Sequence, residues 1–105
     1  MNTKTKKVFG TKDLEKRLGK RTVGSFLRSW RQSFELSQVE FAKKLGISRA
    51  NLCDMEMNRK SVSPEKAAEI AKTIGYSVNV LVEMAIEEQL SAAGLKYSVS
   101  LKPAA

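Results

Sequence analysis

The stretch Leu36-Ser37-Gln38-Val39-Glu40-Phe41-Ala42-Lys43-Lys44-Leu45-Gly46-Ile47-Ser48 sets two helix boundaries within thirteen residues. Ser37 with Glu40 three places on is a capping box, S-x-x-E, which opens a helix. Gly46 closes that helix, and Ser48 is placed to cap the next one. A link as short as Gly46-Ile47-Ser48, with Ile47 tucked beneath it, predicts two helices with strongly crossed axes, a helix-turn-helix.

The neighbouring sequence extends this reading in both directions. Val23, Phe26, Leu27, Trp30 and Phe34 recur at the spacing of one helical face and predict a first helix before the pair. Ser48 caps a third helix reaching about Met57. Ser63 followed by Pro64 is an N-cap with proline at the first helical position, opening a fourth helix that stops at Gly75. Ser77 caps a fifth, which ends at Gly94. Leu95, Tyr97, Val99 and Leu101 then alternate with polar residues, a period of two that predicts one short strand. Upstream, residues 1–10 are polar enough to predict a flexible start. Thr11 as N-cap, Asp13 and Glu15 in the first turn and Gly19 as a stop predict a short extra helix with a thin stripe of Leu14 and Leu18. The expected architecture is all-α. Residues 22–94 form a five-helix domain, with a basic N-terminal extension at 1–21 and a C-terminal strand and tail at 95–105.

Composition narrows the chemistry. The 105 residues include no histidine and one cysteine, so neither an internal disulfide nor a zinc site is expected. The apolar run from Val78 to Ile86 is interrupted by Asn79 and Glu83, too short and too polar to span a bilayer. No apolar stretch follows the basic N-terminus as a secretory signal requires, so a cytoplasmic location is expected. The net charge is +8, concentrated at one end. Residues 1–21 hold eight basic and two acidic side chains, against eleven and nine in the rest. A basic block of this kind points to a polyanion, above all nucleic acid.

The stretch Leu36–Ser48 resembles the helix-turn-helix of the phage-repressor, or Xre/Cro-like, family. The resemblance runs from about Val23 to Leu90, with glutamine, alanine, glycine and the later glutamate at the family's spacing. It implies a five-helix DNA-binding domain. Phe41, Ala42, Leu45, Ile47, Leu52 and Met55 are expected in its core, Ala42 being small because two helices cross there.

A helical wheel places Leu52 and Met55 on the core face of the third helix. Arg49, Ala50, Cys53, Asp54 and Met57 collect on the other. In helix-turn-helix proteins the N-terminal end of this helix enters the major groove. Arg49 can donate to guanine O6 and N7, Ala50 can touch a thymine methyl, and Asp54 can accept from cytosine N4. Asp54 can equally pair with a nearby arginine of the protein. Cys53 reads as a small groove-facing or packing residue. By the resemblance, Gln38 binds a backbone phosphate at a helix N-terminus. Asn58, Arg59 and Lys60 form a basic loop for phosphate, asparagine standing where the family often has glycine. Arg31 and Glu56 match a pair that in many members bridges the first helix and the end of the third. Trp30 is expected in the core.

The resemblance implies a DNA-binding repressor, expected to act as a homodimer on a palindromic operator with no cofactor. The alternative is an antitoxin that also neutralises a toxin protein through one of its terminal segments. No catalytic residue is apparent: without histidine or a metal cluster, a nuclease has no machinery here. The basic extension is expected to enter a minor groove or to order on a protein partner. Leu95, Tyr97, Val99 and Leu101 need a strand to pair with. Either the same segment of a second subunit or the sheet edge of a toxin would serve.

Overall fold

A computed structural model describes residues 22–104; the basic extension and its expected short helix lie outside the described residues. Five helices follow in order: α1 Val23–Ser33, α2 Gln38–Leu45, α3 Arg49–Glu56, α4 Pro64–Ile74 and α5 Val78–Ala92. Each begins on a hydroxyl N-cap (Thr22, Ser37, Ser48, Ser63 or Ser77) whose side chain accepts a backbone N–H from the first turn. These are the groups a helix start leaves unpaired. At α2 the box is complete: Glu40 accepts the Ser37 N–H at 2.8 Å while the Ser37 hydroxyl accepts the Glu40 N–H at 3.0 Å.

The turn after α2 depends on Gly46, which takes a left-handed conformation at φ 73°. That bend lets the Ile47 N–H reach back to the Ala42 carbonyl at 3.0 Å. It ends α2, directs Ile47 toward the core and leaves Ser48 ready to cap α3.

One core serves all five helices. Leu27 of α1, Phe41 of α2, Leu52 of α3, Ala67 of α4 and Leu81 of α5 are all fully buried. Leu45, Ile47 and Trp30 pack against this core from a half-buried position. Phe34 lies outside it, 59% exposed, because α1 ends one residue earlier; its ring rests on Trp30 at 4.3 Å. Gly24 is unforeseen by periodicity. A Cβ there would sit 1.8 Å from the Met55 carbonyl oxygen, so α1 lies with its backbone directly against the end of α3. Mid-helix glycine costs about 0.5–1 kcal/mol relative to alanine, and this contact is what it permits.

The C-terminal strand is not formed. Residues 95–104 carry no strand, and no sheet exists among the described residues. The backbone instead docks on α5. Glu87 accepts the Val99 N–H at 2.8 Å and Glu83 accepts the Leu101 N–H at 2.9 Å. Carboxylates four residues apart on a helix repeat every ~6 Å, and alternate N–H groups of an extended chain every ~6.6 Å, so the two ladders match. The partner that periodicity demanded is a helix of the same chain. Val99 and Leu101 become half-buried, while Leu95 and Tyr97 stay 45% and 66% exposed.

Candidate nucleic-acid interface

α3 turns Leu52, Met55 and Glu56 inward and leaves Arg49 and Ala50 exposed at its N-terminal end. Glu56 is a carboxylate at 3% exposure, and a buried charge is tolerable only when paired. Arg31 supplies the pair as a fork: Nε donates to Oε2 at 2.8 Å and Nη2 to Oε1 at 3.0 Å. The third nitrogen donates to the Leu36 carbonyl at 2.9 Å, tying the loop after α1 into the same cluster. The hydrogen bond to Glu56 holds the Arg31 guanidinium above its ordinary pKa, against the opposing effect of partial burial.

Gln38 carries this anchor outward. Its Nε2 donates to Glu56 Oε1 at 3.1 Å, and its Oε1 accepts from Arg49 Nη1 at 3.0 Å. The buried pair, a half-buried amide and an exposed guanidinium therefore form one chain of hydrogen bonds, Arg31–Glu56–Gln38–Arg49. Both ends of the Gln38 amide are engaged in it. What remains for phosphate at this position is its backbone N–H, in the first turn of α2 where helices leave donors without intrahelical partners.

The remaining expected residues are grouped at the other end of α3. Asp54 accepts from Arg59 Nε at 3.0 Å, the protein-internal pairing open to it from sequence. That bond first, and then a 3.5 Å contact to the Cys53 sulfur, hold the Arg59 guanidinium above its ordinary pKa. Lys60 Nζ donates to Asn51 Oδ1 at 2.8 Å. Asn58 has a left-handed backbone, φ 60°, in the glycine-like role expected of it. Its side chain turns to α1, where Oδ1 accepts from the Thr22 hydroxyl at 2.6 Å. Val99 and Leu101 dock on α5 instead, as described above, while Leu95 and Tyr97 stay exposed.

Sequence reasoning missed three contributors: Asn51, which steadies Lys60; Thr22, which secures the loop; and Gly24, which sets the approach of α1. Asn51 had a signal, since it stands in the first turn of α3. The other two act through contacts between segments distant in sequence.

Two helices joined by a three-residue turn, the second capped, anchored from behind and exposing a guanidinium at its N-terminal end, define a helix-turn-helix DNA-binding domain. The helix-turn-helix family model matches residues 27–81, and the chain belongs to that family, in its Xre/Cro-like group. It is 33% identical over 70 residues to the immunity repressor protein of Bacillus phage phi105, a match covering 65% of this chain and 49% of that protein. It is 37% identical over 59 residues to the ImmF control region 10 kDa protein of the same phage, covering 56% and 66%. The chain thus spans about half of the first relative and just under two thirds of the second. No solved structure matches it. Among the described residues no helix is long and apolar enough to cross a membrane.

Proposed function

We propose that this protein is a sequence-specific transcriptional repressor that occupies a palindromic operator as a homodimer. The observation that carries the reading is the Arg31–Glu56–Gln38–Arg49 chain, which aims a bidentate donor from the start of α3. In the major groove Arg49 takes guanine O6 and N7, Ala50 takes a thymine methyl, and Asp54, oriented by Arg59, accepts from cytosine N4. Phosphates are met by the Gln38 backbone N–H, by Arg59 and Lys60, and by the loop that Asn58 shapes. A dimer sets two such helices about 34 Å apart, on half-sites one turn of DNA apart.

The second subunit pairs through the C-terminal segment. Val99 and Leu101 spend their N–H groups on α5, and in an extended chain the N–H groups of residues 98, 100 and 102 point to the opposite edge. That outer edge is an antiparallel template for its own copy, with Leu95 and Tyr97 exposed beside it. The name of one phage relative, the immunity repressor protein, supports repression. Neither relative's name lends support to the antitoxin alternative.

The test is selection of a bound duplex from a random pool, followed by titration at several salt concentrations and sedimentation of the complex. The reading requires two inverted half-sites, a two-to-one complex and a log K that falls by about 0.9 per phosphate contact with log salt. A flat salt response or a one-to-one complex on a single half-site would overturn it.

A further inference from the structure

We propose that Met57 is a base-reading residue, which recognises the 5-methyl group of a thymine alongside the one met by Ala50. The inference rests on the DNA-binding reading and adds a specificity determinant to it. Met57 caps the C-terminal end of α3, the helix proposed to enter the groove, and is 51% exposed, a large apolar side chain in water. It follows Ala50 by seven residues, which returns it to within ~20° of the same face.

The polar side chains of this surface are engaged with one another: Arg49 with Gln38, Asp54 with Arg59, Asn51 with Lys60. Ala50 and Met57 have no polar atom to engage, so this face of α3 carries an exposed apolar side chain at each end, ~10.5 Å apart. The major groove has one apolar feature that differs between bases, the thymine methyl. The thioether chain is long, unbranched and polarisable, suited to follow a methyl group from the far end of the helix. Covering such a methyl excludes water from both surfaces, an effect of about fourfold in affinity per methyl-sized group.

The experiment uses the full chain and the duplex selected from a random pool. Each thymine of one half-site is replaced singly by uracil, which removes the methyl and leaves every hydrogen-bonding group in place. The wild-type protein should bind about fourfold more weakly at two positions. Met57→Ala should bind the parent duplex about fourfold more weakly and should no longer respond to uracil at one of them. Met57→Leu should keep that response, which separates apolar contact from a folding defect; thermal unfolding of all three proteins checks the latter. Affinities unchanged by uracil at every position would overturn the proposal while leaving the DNA-binding reading intact. So would an undiminished uracil response in Met57→Ala. Absence of salt-dependent binding to any duplex would overturn both.

Discussion

Arg31 and Glu56, one on α1 and one at the end of α3, form a two-bonded ion pair with side chains only 13% and 1% exposed. Removing one partner strands a buried charge, which typically costs 3–5 kcal/mol. Glu56→Ala should therefore lower the unfolding free energy by about that amount in denaturant titration. A loss of about 1 kcal/mol or less would mean the pair behaves as a solvent-exposed one. Replacing both residues with methionine should recover much of the stability. It should not recover specific DNA affinity, because Gln38 would have lost its anchor.

The guanidinium of Arg49 is oriented by Gln38, so the two should act as a unit. Arg49→Ala should cost about 1–3 kcal/mol at one base position and relax specificity there. Gln38→Ala should weaken discrimination at the same position, and the double variant should lose less than the two single losses combined. Additive losses, measured by competition between matched and mismatched duplexes, would show that Gln38 and Arg49 act independently.

Lys60 is held on the α3 side of its loop by Asn51. Lys60→Ala should weaken selected and random duplexes alike and reduce the salt slope by about 0.9. A loss confined to the selected duplex would place Lys60 on a base edge.

A Cβ on Gly24 would meet the Met55 carbonyl oxygen at 1.8 Å, so one backbone must shift to admit it. Gly24→Ala should gain helix propensity yet lose stability overall, by about 1–3 kcal/mol as expected for overpacking. Thermal unfolding checks the sign: a stabilised variant would mean that α1 and α3 can separate without penalty.

The C-terminal segment offers a direct reading by hydrogen exchange. Hydrogen bonds to charged groups are typically worth about 1.5–3 kcal/mol. Glu87→Ala should therefore speed exchange of the Val99 N–H more than tenfold, and Glu83→Ala that of Leu101. Releasing both should also weaken the proposed dimer in sedimentation, since the free edge is then no longer held straight. Unaltered exchange would show that apolar contact alone docks the segment.

Local chemistry was enough to settle the helices and the turn. Hydroxyl caps, the Ser37–Glu40 box, Pro64 and Gly46 act within a few residues of themselves, so their spacing carries their structure. The same holds for the faces of α3, where periodicity separates Leu52 and Met55 from Arg49 and Ala50. What the tertiary structure decided were pairings between segments far apart in the chain. Whether Gln38 turns to solvent or to Glu56, and whether Asn58 faces a phosphate or Thr22, depends on how α1 lies across α3. That approach is set by the missing Cβ of Gly24. The segment after Gly94 shows the same division. Its alternation predicted a strand in need of a partner, and no strand forms there. Alternation cannot say what supplies the hydrogen bonds, and the match between two helical carboxylates and two extended N–H groups exists only once α5 and the segment lie side by side.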